Sequence, residues 1–307
     1  MQIVTDRGLD LSAEQLSRLE NVHFVPLALT LAGKTYRSGE DIQPEEFYEL
    51  LAATDEFPTT TQPPAGAFAA LYERLAITDP DILSIHISSG LSGTLNAALE
   101  GAKLVPQANV THFDTMTLSG AGGWIVEAAA RTIKAGWPLP RILALLERIR
   151  AEAETLYTLD EMRYLIHGGR ISHIKGLLAS VLNIKPVIGV SHEDGRYAQR
   201  GQARTFKRAV ARIVDLVAQQ HAPGSALRVQ VMHALNPEGA DLLRAALDRV
   251  FDCTWLPVSP IAPVLGAHTG PSLVGVGFAP EAIFAEVPAA DPTPQQIRSA
   301  TPALMGV

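Results

Sequence analysis

The chain has 307 residues, 47% hydrophobic and 19% charged, which is enough apolar material for one large domain or two ordinary ones. A formal net charge of −7 sets aside any overall attraction to nucleic acid or to an anionic membrane, so only a local basic patch could serve either. A single cysteine, Cys253, excludes an internal disulfide and a CxxC metal site, and no apolar run reaches the roughly 18 residues of a spanning helix, so the expectation is a soluble cytoplasmic protein without integral membrane association.

The first half alternates short apolar runs with helical patterns. "MQIVTD" predicts a strand, "SAEQLSRLENV" a helix opened by Ser12, "VHFVPLALTL" a strand, and "QPEEFYELLAA" a helix with Pro44 in its first turn. The helix "AGAFAALYERLAI", the strand "DILSIHIS", the helix "GTLNAALEGAKLV", the strand "NVTHFDT" and the helix "AGGWIVEAAARTIKAG" continue the pattern. Strands separated by helices of this length favour right-handed crossovers and a parallel sheet. Residues 1–157 are therefore expected to form an α/β domain.

After the helical "PRILALLERIRAEAETL" the texture changes. "LYTLDEM", "IKPVIGVSHEDGRYAQ", "ALRVQVMHAL" and "CTWLPVSPIA" predict strands, with a turn at Asp194-Gly195 that requires antiparallel pairing. With helices such as "TFKRAVARIVDLVAQQ", residues 158–285 are expected to form an α+β domain with a mixed or antiparallel sheet. Residues 286–307, rich in proline and alanine, predict a loosely ordered tail. Cys253, in the apolar "VFDCTWLPV", is expected to be a small buried hydrophobe.

One strand-to-helix passage is crowded with hydroxyls: "HISSGLSGT", residues 86–94. A loop leaving the carboxyl end of a parallel strand meets the next helix's amino end, where free N–H groups favour an anion. Helix capping by Ser92 or Thr94 explains the same residues. A phosphate-binding P-loop is excluded by the missing lysine, and G-x-G-x-x-G is absent. Gly90-Leu91-Ser92-Gly93-Thr94 only approaches a G-x-S-x-G nucleophile elbow. The histidines show no HExxH or other recognised ligand spacing. A second hydroxyl cluster, Thr59, Thr60 and Thr61 between Pro58 and Pro63-Pro64, predicts a turn-rich loop. Arg170 follows Gly168-Gly169 in "LIHGGRIS", and His268 stands between Gly266 and Gly270, where a loop histidine is expected.

In chain order, "VTDRGLDL", "PTTTQPPAGAF", "ISSGLSGTLNAA", "FDT" followed by "SGAGG", "LIHGGRIS", "LNIKPVIGV" with a later "DG", and "PIAPVLGAHTGPSLVGVGF" resemble the DegV family of fatty-acid-binding proteins. Each motif is weak alone; their order and spacing over residues 3 to about 280 carry the resemblance. It implies a two-domain protein that binds one long-chain fatty acid, with the carboxylate near the domain junction and the chain in an apolar tunnel, and no other cofactor. It also implies a partner, a separate ATP-dependent fatty acid kinase that makes an acyl phosphate for phospholipid synthesis, so that the chain itself is a carrier and not an enzyme. By motif, Thr61 and Ser92 are the leading carboxylate donors, with Thr60 and Gly93 beside them, and Arg170 and His268 face the same site. Many members have serine where this chain has Thr61, which keeps the hydroxyl but alters its geometry.

Two other classes remain open on the residues. A lipid-ester hydrolase would use Ser92 with His268 and an orienting acid, Asp6 or Asp114. A basic face formed by Arg200, Lys207 and the helically spaced Arg204, Arg208 and Arg212 would suit nucleic acid, an acidic partner or plain solvent. Within the resemblance, Arg200, Arg204 and Lys207 are the expected kinase-docking residues.

Overall fold

A computed structural model of the chain describes residues 1–173 and 184–289. Strand β1 (Gln2–Asp6) leads to a one-turn helix α1 (Ala13–Leu16), where Ser12 and Gln15 satisfy each other's backbone N–H groups in a capping box. The run "VHFVPLALTL" forms two strands, β2 (Val22–Val25) and β3 (Ala28–Leu31), instead of one. Pro26 has no N–H for a ladder, and the chain changes sheet there. Ala32 and Gly33, both at positive φ, turn β3 tightly into β4 (Lys34–Arg37). After α2 (Pro44–Ala52), β5 (Thr59–Thr61) pairs antiparallel with β3, giving a three-stranded sheet β4-β3-β5. The threonine segment is thus a strand, not a turn-rich loop: Pro58 and Pro63 flank the pairing and leave all three threonine amides free to join it.

The crossovers follow: α3 (Ala65–Ala76), β6 (Asp81–His86), α4 (Thr94–Lys103), β7 (Asn109–Asp114), α5 (Ser119–Lys134) and α6 (Leu139–Glu152). β2-β1-β6-β7 form a wholly parallel sheet, as the alternation of strand and helix requires.

The chain then passes into a second sheet: β8 (Glu154–Thr158), α7 (Arg163–His167), a 3-10 turn Arg170–His173, β9 (Lys185–Val190), β10 (Tyr197–Ala203), α8 (Phe206–Gln220), β11 (Ala226–His233), α9 (Pro237–Leu247), β12 (Asp252–Trp255), β13 (Ser259–Pro260), α10 (Pro263–Thr269) and β14 (Val274–Pro280). Its order is β10-β9-β8-β14-β11-β12, with β13 also on β11. β12 and β13 run parallel to β11 and the other pairs are antiparallel, so the sheet is mixed. The β9–β10 hairpin turns through Gly195 at φ 65°. Arg204 lies before Thr205, the N-cap of α8, so only Arg208 and Arg212 of the expected arginine row are helical. Cys253 is half-buried on β12, and burial lifts its thiol to about 11. The expected tail lies outside the described residues from 290 onward.

One apolar cluster runs from Ile3 on β1 through Trp124 on α5 and Ile188 on β9 to Phe284. α5 touches β1 of the first sheet and β8, β11 and β14 of the second. Its fully buried Trp124 donates Nε1–H to Gln230 Oε1 on β11 at 2.8 Å, which fixes the indole where its apolar rings fill the core.

Candidate functional site

β1 and β6 are neighbours in the parallel sheet, so the loops leaving their carboxyl ends emerge side by side. Asp6, at the end of β1 and fully buried, joins them: Oδ1 accepts from Gly8 N–H at 2.8 Å, and Oδ2 accepts from Ile87 N–H at 3.1 Å. Oδ2 also lies 2.9 Å from His86 Nδ1, and the chain continues from His86 Nε2 to Ser84 Oγ at 2.6 Å and from there to the Tyr72 hydroxyl at 2.7 Å. Burial raises the Tyr72 hydroxyl to about 12, so it stays protonated.

The loop after β6 rests on the second sheet's hairpin. Ser88 Oγ donates to Gly195 O at 2.8 Å, and a β-carbon on Gly90 would come within 2.3 Å of Asp194 O, so glycine is what permits the approach. Ser92 Oγ lies 2.8 Å from Thr94 Oγ1 and accepts from Thr94 N–H at 3.3 Å, a local turn contact; the N-cap of α4 is Gly93 and no side chain caps the helix, so neither Ser92 nor Thr94 is its cap. Gly93, the N-cap residue of α4, lies beneath the Gln62 side chain; a β-carbon would meet Gln62 Oε1 at 2.0 Å.

Strand alternation sorts the threonines of β5. Thr60 is half-buried and turns inward, while Thr59 and Thr61 are exposed on the other face. Thr60 Oγ1 lies 2.7 Å from Nε2 of His268, which belongs to helix α10, begun by Pro263, and not to a loop. His268 is buried; its surroundings, and secondarily the Arg170 charge, lower its pKa to about 3, so the ring is neutral. Its Nδ1 has no hydrogen-bond partner and abuts Gly168, where a β-carbon would stand 2.2 Å away. Arg170 donates to Gly168 O at 2.7 Å.

Gly8, Thr60, Ser92, Arg170, Tyr197 and His268 surround one cavity of about 30 Å³, closed by Leu27, Ile87, Leu91, Val264 and Leu265. A second void, about 10 Å³, lies beyond Leu265 among Leu118, Tyr157, Met232 and Leu273. Tyr157 and Tyr197 meet edge to face at 5.9 Å, and burial raises both hydroxyls above their ordinary value.

Four of the residues singled out by sequence, Thr60, Ser92, Arg170 and His268, therefore converge from four separate segments. Thr61 does not line the cavity, and Gly93 supports it through the α4 entry. In the sequence Gly168 stands out only as a glycine ahead of Arg170, and Gly8, Tyr197 and Leu265 are not singled out. Of these three, only Gly8 carries a signal, a glycine two residues after the strand-ending Asp6. A Ser-His-Asp chain is not assembled: His268 is engaged with Thr60, Ser92 with Thr94, and Asp6 with His86, while Asp114 accepts from the amides of Ser89 and Met116. Arg200, Arg204 and Lys207 are exposed, and Arg200 donates to Val190 O at 3.0 Å. Among the described residues no cluster of three metal-ligating side chains occurs, and no helix is long and apolar enough to cross a membrane.

The chain is similar to known proteins over most of its length. A DegV-domain-containing protein of Staphylococcus aureus is 34% identical over 274 residues, covering 89% of this chain and 96% of the relative. A DegV family protein of Thermus thermophilus, described as binding fatty acid, has a structure superposing with a TM-score of 0.81 at 30% identity, over 91% of this chain and 99% of that one. DegV of Bacillus subtilis, described as a fatty acid binding protein, gives a TM-score of 0.80 at 28% identity over 91% and 99%. The family model for DegV, whose description is that of an uncharacterised protein family, matches residues 1–281, and the chain belongs to the DegV family.

Proposed function

We propose that the protein is a carrier that binds one long-chain fatty acid, holds its carboxylate in the Thr60–Ser92–Arg170–His268 cavity, and presents it to a separate fatty acid kinase. The observation that carries the reading is the convergence of two hydroxyls, one guanidinium and one neutral imidazole on a cavity whose other wall is apolar. The fatty acid binding of the Thermus and Bacillus proteins supports the same ligand class.

The geometry supports a division of labour. Nδ1 of His268 faces Gly168 with no acceptor there, so a proton on Nδ1 would be a buried, unsatisfied donor. Carried on Nε2 instead, the proton goes to Thr60 Oγ1, and the Thr60 hydroxyl is left to donate to the carboxylate. Arg170 then supplies the one positive charge. The acyl tail runs past Leu265, which lines both voids, toward Tyr157 and Met232. Ligand pockets of this kind hold roughly 300–1,000 Å³, so the voids must widen as the chain enters. Burying about 15 methylenes at ~0.8 kcal/mol each contributes a gross ~12 kcal/mol. The tail supplies affinity and the polar groups fix orientation. With a single cation on the carboxylate, one oxygen stays nucleophilic enough to attack a phosphoryl group brought by the kinase.

Protein purified without added ligand is expected to carry about one C14 to C18 acid per chain, read by lipid extraction and mass spectrometry. Finding no lipid, together with no binding of palmitate or oleate, removes the reading. Kinase docking is assigned to Arg200, Arg204 and Lys207, since Tyr197 on the same strand as Arg200 lines the cavity. The double variant Arg200→Ala, Arg204→Ala should keep fatty acid affinity yet slow kinase-dependent acyl phosphate formation several-fold at low salt, because rim charges act mainly on association. Full turnover at limiting carrier would move the docking surface elsewhere.

A further inference from the structure

Gly8 lines the small cavity, whereas Arg7, one residue earlier, lines a different and much larger open cleft of about 690 Å³. The walls of this cleft come from the loop after β1, from Ser38 and Gly39 ahead of α2, from the first residues of α2, and from the segment 257–263.

Arg7 is held in place but not paired. Its guanidinium stacks 3.8 Å over the Phe24 ring, and its stem lies on Gly39, where a β-carbon would come within 2.7 Å of Nε. Nε is buried without a hydrogen-bond partner, and burial lowers the pKa of the group while Asp10 and Glu40 act on it through their charge. Of the nearby acids, Asp10 accepts from Ser119 Oγ at 2.5 Å and from Ala262 N–H at 3.2 Å, Glu40 pairs with Arg37, and Glu14 pairs with Arg18, while Glu45 also lines the cleft and has no such partner among the described residues. A half-buried guanidinium stacked on an aromatic ring with its donors unspent is costly unless an anion completes it.

Two further features line the same space. Ser38 is 0% exposed, lines the cleft, and its Oγ has no partner. The nine-residue helix α2 opens into the cleft through Gln43, Pro44 and Glu45; no side chain caps its amino end, Pro44 has no N–H to offer, and Glu45 and Glu46 stand in the first turn, so its donors are the backbone amides of those two residues. An uncapped helix start, an unpaired Arg and an orphaned buried hydroxyl are together the donor set of a phosphoryl group. The cleft is several times larger than a bare phosphate needs, which favours an organic substituent on it.

We propose that this cleft binds the phosphate group of a small phosphate monoester, with Arg7 as the principal ligand and Ser38 and the α2 amino end as supporting donors. The site is separate from the fatty acid cavity and does not depend on that reading.

The test is calorimetric titration of the full chain with glycerol phosphate, inorganic phosphate, sulfate and acetate, alongside Arg7→Gln, Arg7→Lys and Ser38→Ala. Glycerol phosphate is expected to bind best, inorganic phosphate more weakly and acetate least. Arg7→Gln should weaken the phosphate monoester by roughly tenfold or more, and Arg7→Lys, which keeps charge but loses the planar fork, by less. Fatty acid content and melting temperature should be those of the wild type in Ser38→Ala, which carries the test if Arg7→Gln fails to fold. Absence of phosphate binding at millimolar concentration, or equal binding by the wild type and both the arginine and serine variants, overturns the proposal. Acetate binding as tightly as phosphate would overturn the phosphoryl assignment.

Discussion

Thr60→Val keeps the β-branched shape that suits β5 and deletes only the hydroxyl. That hydroxyl lies 2.7 Å from His268 Nε2 and faces the cavity shared with Ser92 and Arg170. If it donates to a bound carboxylate, its loss costs ~1.5–3 kcal/mol, which is roughly a 10- to 100-fold rise in Kd. The acyl tail is untouched, so the variant still binds, with the deficit confined to the head group. Calorimetric titration of delipidated protein with palmitate measures this directly. Thr61→Val is the internal comparison: Thr61 is exposed on the opposite face and meets Ala28 through strand pairing, so its affinity should stay within about twofold of the wild type. If Thr61→Val proves the more damaging of the two, or Thr60→Val binds palmitate like the wild type, the carboxylate does not sit in this cavity.

Gly168→Ala would place a methyl group against His268 Nδ1, pushing the ring off Thr60, while the backbone at φ −69° accepts alanine without strain. Palmitate affinity should fall roughly tenfold with a small change in melting temperature; unchanged affinity would show that the imidazole is not held there. Asp10 has its carboxyl raised to about 7 from 3.8, chiefly by burial, so folding takes up a proton between those values and this contribution to stability is lost as pH rises through about 7. Asp10→Asn removes that slope, and its melting temperature should gain on the wild type between about pH 5 and about pH 8. Parallel pH profiles of the two proteins would refute the assignment.

Much of the fold is legible because its periodicities are local. The crossovers from β6 to α5 follow from apolar alternation and helix-length spacing, and the β9–β10 hairpin from Asp194-Gly195. The three-stranded sheet was hidden by its prolines: Pro26 marks a strand break, and Pro58 and Pro63 look like loop chemistry although the residues between them pair with β3. The choice between Thr60 and Thr61 could not be made from adjacent, identical residues, because it depends on which face of a strand looks inward. Ser92 and Arg170 could be found from their glycine-rich surroundings. Tyr197 and Leu265 could not, and the approach of Gly168 to His268 could not either, since each depends on a neighbour far along the chain that only the tertiary structure supplies.

The hydrogen bond between Thr60 and His268 joins residues 208 positions apart. β14, which follows α10, is an interior strand of its sheet, flanked by β8 and β11. A ribosome making this chain therefore releases the first parallel sheet long before it can deliver either the histidine or the strand that lets the second sheet close. A growing chain can fold its opening crossovers before the cavity lined by His268 is complete. Truncation between residues 234 and 262 yields a product lacking His268 and β14, with β8 and β11 left unpaired where that strand belongs. Such edges are what quality-control proteases and aggregation act upon. On the proposed reading, ligand capture would mark a chain translated through β14, since an earlier product lacks His268, β14 or both.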